Sequence, residues 1–378
     1  MSNTNNTLKI LSIFGTRPEA IKMDPLIMEM EKCERIESIV CLSGQHEEML
    51  NQVFEVFPIA AKYNLHIMKP KQTLSMITAT IINELDKILN EEKPSLVLVH
   101  GDTTTAFAAA LAAFYHQIPV GHVEAGLRTN DKYSPYPEEM NRNLISKIAE
   151  LHFAPTEGNR RNLCVENIQE NVYVTGNTII DSFKTTVNMQ YQFKNPVLKQ
   201  LRINKLNCVL ITAHRRENLG APLQNICIAI KELAQKYSQL VFVYPMHLNP
   251  AIRDIVKTEL ANIANVHLLE PLDVADMHNV ISRSFLVLTD SGGLQEEAPA
   301  FGVPVLVMRT ETERPEAVEA GTVKIVGTNC NDIVNAAVDL IENKQSYNAM
   351  AHAVNPYGDG HACERIVDAI LRWYYKNE

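Results

Sequence analysis

Two acidic residues stand directly after apolar runs that have the character of buried strands. Asp102 follows the run LVLVHG, and Glu124 follows IPVGHV. In open parallel sheets, ligands bind at the carboxyl ends of the strands, so both carboxylates are candidates for chemistry on a substrate. Asp102 also precedes TTTAFAAAL, where an Asp is a good helix N-cap, so a capping role stays open for this residue. No comparable local role accounts for Glu124.

A third candidate acid lies in the segment SPYPEEMNR, where Pro137 begins a predicted helix with Glu138 and Glu139 in its first turn. Acids in a first turn commonly stabilise the helix dipole, and this role competes with a catalytic one for Glu138. Arg142 follows four residues after Glu138, on the same helix face.

Cationic residues follow two other predicted strands. In FGTRPEAIK, Arg17 and Lys22 lie near a helix N-terminus, where the helix dipole disfavours cations, so a bound anion would resolve the conflict. Solvent or a nearby carboxylate is the alternative partner. In CVLITAHRREN, His214 and Arg215 lie at a strand end and form a candidate anion site, although a lone His is more often structural.

The segment FLVLTDSGGLQEEAP is a strand followed by a glycine-rich turn and a helix. Backbone N–H groups of Ser291, Gly292 and Gly293 can bind a diphosphate, and Glu297 can accept hydrogen bonds from ribose hydroxyls. Arg314, after the next strand, adds a cation. We therefore predict a nucleotide site here. It is not the dinucleotide fingerprint, and the sequence contains no P-loop, H-E-x-x-H or G-x-S-x-G motif.

The elements that would position these residues alternate between short apolar strands and helices, and this pattern occurs twice along 378 residues. It predicts an α/β protein of two Rossmann-like, doubly wound domains, because apolar strands separated by helices form parallel sheets covered on both faces. We predict an N-terminal domain over 1–185, a linker over 186–205, a second domain over 206–358 and a C-terminal helix within 359–378.

Composition excludes several classes of partner. The net charge is −9 without a long run of like charges, so we expect no nucleic-acid partner. The seven scattered cysteines include no C-x-x-C pair and predict reduced thiols in the cytoplasm, with no metal site. The polar N-terminus and the absence of an apolar run near ~18 residues predict no export signal and no membrane anchor.

Taken together, motifs along the chain resemble those of the bacterial non-hydrolysing UDP-N-acetylglucosamine 2-epimerases. They occur in the family's order over about 8–360: FGTRPEAIK, VHGDTTT, GHVEAGLRT, YSPYPEEMNR, TGNT, TAHRREN, HLNP, TDSGGLQEEAP, TERPEAVEAGT and NPYGDG. The resemblance implies a fold of the glycosyltransferase-B type, with two domains facing a cleft, UDP held mainly by the second domain and the C-terminal helix returning to the first.

The resemblance also implies an activity. UDP-GlcNAc would be converted reversibly to UDP-ManNAc by elimination of UDP to 2-acetamidoglucal and its re-addition, with no metal or nicotinamide cofactor. The product would supply cell-surface polysaccharide synthesis, and we expect a homodimer whose small-molecule partner is a nucleotide sugar.

Site residues carry over by motif. The catalytic positions are Asp102, Glu124, Glu138 and His214, and which acid removes the C2 proton and which returns it stays open. The substrate-binding positions are Arg17, Lys22, Arg142, Ser291, Gly292, Gly293, Glu297 and Arg314. A second UDP-GlcNAc, acting as an allosteric activator, would bind Gln45, His46, Arg215 and His247.

This sequence departs from some relatives at Glu48, Lys71 and Asp24, where Gln, Arg and Ala are familiar. The first two departures bear on activation, because Lys cannot reproduce a bidentate Arg contact. Competing hypotheses are a UDP-sugar-dependent glycosyltransferase of the same fold, a hydrolysing epimerase that releases ManNAc, and a non-catalytic nucleotide-sugar sensor.

Overall fold

The computed structural model describes residues 7–44, 56–57, 59–69, 72–205 and 207–377. The chain divides into two compact units. Unit 1 holds the described residues up to Thr185 together with those from Tyr357 onward, and unit 2 is Thr186–Pro356. Unit 2 is therefore an insertion in the sequence of unit 1.

Each unit contains a parallel sheet. The described strands of unit 1 are Leu8–Phe14 (β1), Ile36–Leu42 (β2), Tyr63–Asn64 (β3), Leu96–His100 (β4), Val120–Val123 (β5), Leu151–Ala154 (β6) and Val172–Val174 (β7). Those of unit 2 are Cys208–Thr212 (β8), Val241–Pro245 (β9), Val266–Leu269 (β10), Leu286–Thr289 (β11), Val305–Val307 (β12) and Val323–Ile325 (β13).

Helices connect the strands, as the alternating pattern predicted. They are Arg17–Glu31 (α1), Leu74–Glu92 (α2), Thr104–Tyr115 (α3), Glu138–Ile148 (α4), Glu157–Val165 (α5), Thr178–Thr186 (α6), Pro196–Gln200 (α7), Ala221–Lys236 (α8), Pro250–Leu260 (α9), Val274–Ser282 (α10), Gly292–Glu297 (α11), Pro315–Glu319 (α12), Cys330–Glu342 (α13), Lys344–Ala351 (α14) and Ala362–Asn377 (α15). Short 3₁₀ turns lie at Arg216–Asn218 and Ala298–Phe301. Within the described ranges, no helix is long and apolar enough to cross a membrane.

The strand orders are β3-β2-β1-β4-β5-β6-β7 in unit 1 and β10-β9-β8-β11-β12-β13 in unit 2. In both sheets the first strand of the unit lies beside its fourth, so the chain winds outward in opposite directions from this pair. Loops diverge where the winding reverses, and ligands bind at that switch point in doubly wound sheets. The predicted α/β fold with two parallel sheets is confirmed.

The core of unit 1 explains why its central strands are apolar on both faces. Every residue of β4 is buried, and so are the inward residues of α3. The side chains that α3 contributes to this core are small, which lets neighbouring strands and helices approach its backbone closely: Ala106, Ala108, Ala109, Ala110, Ala112 and Ala113.

Helix α1 carries a buried acid within this apolar packing. Asp24 is fully buried, and neither carboxylate oxygen has a hydrogen-bond partner among the described residues. Burial raises the pKa of Asp24 to about 8, because the charged form is poorly solvated there.

The C-terminal helix α15 belongs to unit 1 and packs against α1. Its N-terminus is fixed by Asp181, whose carboxylate accepts hydrogen bonds from the backbone N–H groups of Ala362 and Cys363 at 3.1 Å each. A carboxylate at this position satisfies two N–H groups that the helix cannot pair internally.

The stretch 186–205, predicted as a linker, lies within unit 2. Asp276 on α10 accepts hydrogen bonds from the Tyr191 hydroxyl at 2.9 Å and from the backbone N–H groups of Lys194 and Asn195 at 2.8 Å each. Polar contacts to one buried carboxylate hold this stretch in unit 2. Its polar composition therefore suggested a linker, although the segment is packed.

Candidate active site

The turn after β1 is fixed by a capping box. The Glu19 backbone N–H donates to Thr16 Oγ1 at 3.4 Å, and Glu19 Oε2 accepts from the backbone N–H of Thr16 at 2.8 Å. Thr103, after β4, donates its hydroxyl to Glu19 Oε1 at 2.7 Å. The Glu19 carboxylate thus links two turns, one just before Arg17 and the other just after Asp102.

Gly15 is required in the first of these turns. A Cβ at this position would lie 1.7 Å from Ser43 Oγ. Any side chain here would push the turn away from the neighbouring strand end, so the glycine follows from close packing.

The two cations of α1 have different surroundings. Lys22 Nζ contacts Glu124 Oε2, which is the carboxylate alternative that the sequence left open. Arg17 is half-buried and forms no hydrogen bond or ion pair with a residue that the structure describes. A bound anion would supply the counter-charge that Arg17 lacks within this part of the chain.

Glu124 occupies an uncommon backbone conformation directly after β5. Its φ is +63°, in the left-handed region that non-glycine residues seldom adopt. Besides Lys22, its Oε2 accepts a hydrogen bond from Asn177 Nδ2 at 2.9 Å and lies 3.6 Å from His100 Nε2. Strained residues held by several neighbours are concentrated at functional sites, which supports the assignment of Glu124.

His100 is buried at the end of β4, and its Nε2 has no hydrogen-bond partner within the described ranges. Burial lowers the pKa of His100 to about 4, with Glu124 opposing and Lys22 reinforcing the shift. The imidazole is therefore neutral near pH 7, and it places a polar, uncharged group beside the Glu124 carboxylate.

Asp102 does not cap helix α3. Thr103 is the N-cap, and its hydroxyl accepts a hydrogen bond from the backbone N–H of Ala106 at 3.0 Å. The Asp102 carboxylate instead accepts from Arg142 Nη2 at 2.5 Å, and its side chain is 27% exposed. It is consequently an ion-paired acid with access to solvent or ligand.

The two neighbouring acids of α4 have separate roles. Glu139 is buried, accepts hydrogen bonds from the backbone N–H groups of Thr129 and Asn130 at 3.1 Å each, and lies 3.3 Å from Arg142 Nη1. Glu138 Oε2 is also buried, yet it has no hydrogen-bond partner among the described residues. Glu139 therefore organises the local structure, whereas Glu138 keeps an unused acceptor.

These contacts join Lys22 to Glu124 and Asp102 to Arg142. Together with Arg17 on α1 and Glu138 on α4, we call these residues the acidic region. The turn before Asp102 lies close to Glu124, because a Cβ on Gly101 would be 4.0 Å from Glu124 Oε1. Two of its three acids are paired with cations of other elements, and its third cation is Arg17.

In unit 2 the glycine-rich turn follows β11, with Ser291 as the N-cap of α11. A Cβ on Gly292 would lie 3.5 Å from Arg215 Nη2 and 3.9 Å from Arg314 Nη2. A Cβ on Gly293 would lie 3.0 Å from Glu297 Oε1. The same Cβ on Gly292 would lie 3.7 Å from Glu313 Oε2, so two guanidinium groups and the carboxylates of Glu313 and Glu297 border the space that the missing side chains leave. The guanidinium groups suit a diphosphate, and a carboxylate suits the hydroxyl groups of an attached sugar.

Carboxylates hold both arginines in place. Arg314 Nε contacts Glu296 Oε1, and Arg215 Nη2 lies 3.7 Å from Glu313 Oε2. Arg314 Nη1 also donates to the backbone oxygen of Glu313 at 3.2 Å, so more than one acceptor fixes the position of this guanidinium. We call Ser291–Gly293, His214, Arg215, Glu297 and Arg314 the glycine-turn region.

His214 stacks on His247, with ring centroids 5.5 Å apart and an interplanar angle of 10°. Burial lowers the pKa of His214, the Asp290 carboxylate opposes this shift, and His247 and Arg215 add to it. Arg215 and His247, both predicted to bind a second nucleotide, thus adjoin His214, the predicted catalytic histidine. The other two, Gln45 and His46, lie outside the described residues, as do Glu48 and Lys71.

Sequence reasoning missed residues that contact the predicted ones. His278 Nε2 lies 3.9 Å from Glu297 Oε2, and its Nδ1 lies 2.7 Å from Thr186 Oγ1. Burial lowers the pKa of His278 to about 3, so this ring is neutral. Asn177 lies in the motif TGNT and Asp290 in TDSGG, and these motifs are the sequence signal that could have identified them.

In the described ranges, no group of three or more His, Cys, Asp or Glu side chains could hold a metal ion.

Comparison with known proteins identifies the family. A sequence model described as UDP-N-acetylglucosamine 2-epimerase matches residues 28–371. The chain is 51% identical over 373 residues to the UDP-N-acetylglucosamine 2-epimerase of Bacillus subtilis (strain 168), covering 98% of this chain and 97% of that protein.

Solved structures agree with this match. The crystal structure of UDP-GlcNAc 2-epimerase from Neisseria meningitidis bound to UDP-GlcNAc has a TM-score of 0.87 and 49% identity, covering 97% of this chain and 100% of that chain. A glycotransferase of kitacinnamycin, with a TM-score of 0.63 and 12% identity over 97% and 99% of the two chains, shares the fold alone. Given the family match over residues 28–371 and these full-length similarities, the chain belongs to the UDP-N-acetylglucosamine 2-epimerase family.

Proposed function

We propose that this protein interconverts UDP-GlcNAc and UDP-ManNAc by inverting C2, without releasing free sugar. The observation that carries the proposal is the set of carboxylates Asp102, Glu124 and Glu138 in unit 1, since inversion at carbon requires groups that remove and return a proton. Family membership supplies the substrate class.

The chemistry explains why carboxylates alone are insufficient. The C2–H bond adjoins an acetal carbon with no carbonyl group to stabilise a carbanion, so a base acting alone would fail near neutral pH. We propose that the C1–O bond to UDP breaks as the proton leaves, giving 2-acetamidoglucal and UDP. The proton then returns to the other face of C2 as UDP adds back to C1.

Glu138 is suited to proton transfer because exchanging a proton at its unpartnered Oε2 disrupts no hydrogen bond with a described residue. Asp102 and Glu124 are also candidates for proton removal and return. Asp102 contacts Arg142 and Glu124 contacts Lys22, and carboxylates held in this way would also stabilise positive charge developing at C1.

We propose that the glycine-turn region binds UDP. Backbone N–H groups of Ser291–Gly293 and the guanidinium of Arg314 would meet the diphosphate, and Glu297 would accept hydrogen bonds from the ribose. His214 would stabilise the negative charge of UDP as it departs. The glycine Cβ distances to Arg314 and Glu297 support this assignment.

We further propose that a second UDP-GlcNAc activates the enzyme through Gln45, His46, Arg215 and His247. The stacking of His247 on His214 supports a direct effect of an activator on the catalytic histidine.

We also propose that catalysis needs no metal or nicotinamide and that the protein is a homodimer. It would act in the cytoplasm, supplying UDP-ManNAc for cell-surface polysaccharide. Free cysteines along the described chain support a reducing compartment.

The test is incubation with UDP-GlcNAc in deuterium oxide, followed by NMR of C2. We expect UDP-ManNAc with deuterium at C2, and deuterium also in the recovered UDP-GlcNAc. The Asp102→Asn variant serves as the matched control and should incorporate deuterium at a rate lower by about 100-fold. Free ManNAc with UDP as the main product would instead favour a hydrolysing epimerase, and binding without turnover would favour a sensor.

A further inference from the structure

Asp290 is a fully buried acid between β11 and the glycine-rich turn. Its Oδ2 accepts hydrogen bonds from the backbone N–H groups of His214 and Arg215 at 2.8 Å each, and from Asn218 Nδ2 at 3.1 Å. The carboxylate therefore holds the loop after β8, which carries His214, against the loop after β11.

The second oxygen of this carboxylate is differently placed. Asp290 Oδ1 is buried without a hydrogen-bond partner in the described residues, and it lies 3.6 Å from His214 Nδ1. A buried carboxylate oxygen without a partner is costly, and this one needs only a small ring movement to reach hydrogen-bonding distance. Catalytic hydrogen bonds are often long before a ligand binds and shorten in the complex.

We propose that Asp290 is a positioning residue for His214: Asp290 Oδ1 accepts a hydrogen bond from Nδ1–H, so that the protonated ring presents its Nε2–H to the departing diphosphate. The inference rests on the proposed function, in which His214 stabilises the leaving UDP. The two ring nitrogens lie on different edges of the imidazole, so fixing one determines which nitrogen can face a ligand. Stacking on His247 further restricts the ring.

The charged and titratable groups that act on His214 are Asp290, His247, Arg215 and Glu217. Asp290 and Glu217 raise the pKa of His214, whereas burial, His247 and Arg215 lower it. Removing the Asp290 charge therefore lowers the pKa of His214 further. Since the imidazolium exists only below its pKa, activity that needs it is lost as pH rises, and this loss moves to lower pH without Asp290.

The deciding experiment compares Asp290→Asn with Asn218→Ala. The Asn side chain keeps an oxygen for the backbone N–H groups but presents an amide toward Nδ1. We expect kcat to fall by about 10- to 100-fold with KM changed little, and the high-pH limb of the rate profile to move to lower pH. Asn218→Ala removes another hydrogen bond to the same carboxylate but keeps its charge, so its pH profile should match that of the wild type.

A second measurement does not depend on turnover. ¹⁵N NMR of the ligand-free protein, with the His214 signals assigned by their loss in His214→Gln, reports the tautomer and the pKa. We expect an Nδ1–H tautomer in the wild type and an Nε2–H tautomer in Asp290→Asn. If the wild type fails to epimerise, the proposed function falls, and the NMR result still decides the role of Asp290.

An Nε2–H tautomer in the wild type would overturn the inference, even if Asp290→Asn does not fold. The inference would also be overturned if Asp290→Asn lost stability or raised KM while two properties stayed at their wild-type values. These are the high-pH limb of the rate profile and the pKa of His214.

Discussion

The acidic region of unit 1 and the glycine-turn region of unit 2 are built by different means. In unit 1, side chains hold the proposed catalytic carboxylates, since Lys22 contacts Glu124 and Arg142 bonds Asp102. In unit 2, the surface proposed to bind UDP is largely backbone, because Gly292 and Gly293 carry no side chain to cover it. Substitutions in the first region should therefore alter the rate of chemistry, and substitutions in the second should alter nucleotide affinity.

The largest effect is expected for Glu138→Gln, because this change removes a proton-exchanging group while preserving shape. We expect kcat to fall by about 100- to 1,000-fold with an unchanged melting temperature, since Glu138 Oε2 makes no hydrogen bond to a described residue. Steady-state kinetics and calorimetry are the measurements.

The neighbouring change Glu139→Gln is the matched control. Glu139 is buried, accepts hydrogen bonds from two backbone N–H groups and is ion-paired with Arg142, so this variant should lose about 1–3 kcal/mol of unfolding free energy. If both variants keep normal turnover, or if Glu138→Gln unfolds as readily as Glu139→Gln, the separation of roles between the two acids is wrong.

An intermediate effect is expected for Gly293→Ala. Its Cβ would lie 3.0 Å from Glu297 Oε1, so the Glu297 carboxylate must shift from the position proposed to meet ribose. UDP affinity measured by calorimetry should fall by about tenfold, or about 1.4 kcal/mol. At saturating substrate, kcat should stay within about threefold of wild type, because the acidic region is untouched. If the affinity for UDP were unchanged and kcat were lower, the division of roles between the two regions would be wrong.

The smallest effect on activity is expected for Asp24→Ala, which tests unit 1 for a pH-dependent stability. Burial raises the pKa of Asp24 to about 8 from 3.8, so between these values the folded state binds a proton that the unfolded state has lost. Stability consequently falls as pH rises from about 4 to 8 and levels off above that. Removing the acid should stabilise the protein by about 5 kcal/mol more at pH 8 than at pH 4, since the shift spans about four pKa units at about 1.4 kcal/mol each.

Thermal unfolding across this pH range is the measurement, with Asp24→Asn as the comparison. The Asn variant should lose the same pH dependence while still burying a polar group, so it should be less stable than Asp24→Ala. Parallel melting curves for wild type and Asp24→Ala at every pH would show that Asp24 is already ionised in the folded state.

Sequence predicted those features that depend on local pattern and sheet topology. Glu124 became a candidate because a carboxylate after a buried parallel strand lies at an edge where ligands bind, and Ser291–Gly293 because a glycine turn exposes backbone N–H groups; the roles of both stay predictions. The alternation of strands and helices likewise predicted both sheets, since it depends on which short segments are apolar.

Features that depend on contacts between distant residues were not predictable in this way. Asp102 and Thr103 are both good N-caps, and the structure uses Thr103 because Arg142, from another helix, pairs with Asp102. Asn177 meets Glu124 across 53 residues of chain, and His278 meets Thr186 across 92. No local pattern encodes such pairs, just as none showed that Asp276 holds the stretch 186–205.

The insertion of unit 2 within unit 1 has a consequence for the order of biosynthesis. Every residue of Thr186–Pro356 is translated before α15, whereas unit 1 needs α15 to cover α1. All seven described strands of unit 1 precede unit 2 in the chain, so unit 1 can pair its sheet early but completes its helical layer only after unit 2 has been translated. The proposed catalytic acids are translated first, but the surface of α1 that α15 covers stays exposed until α15 has been translated.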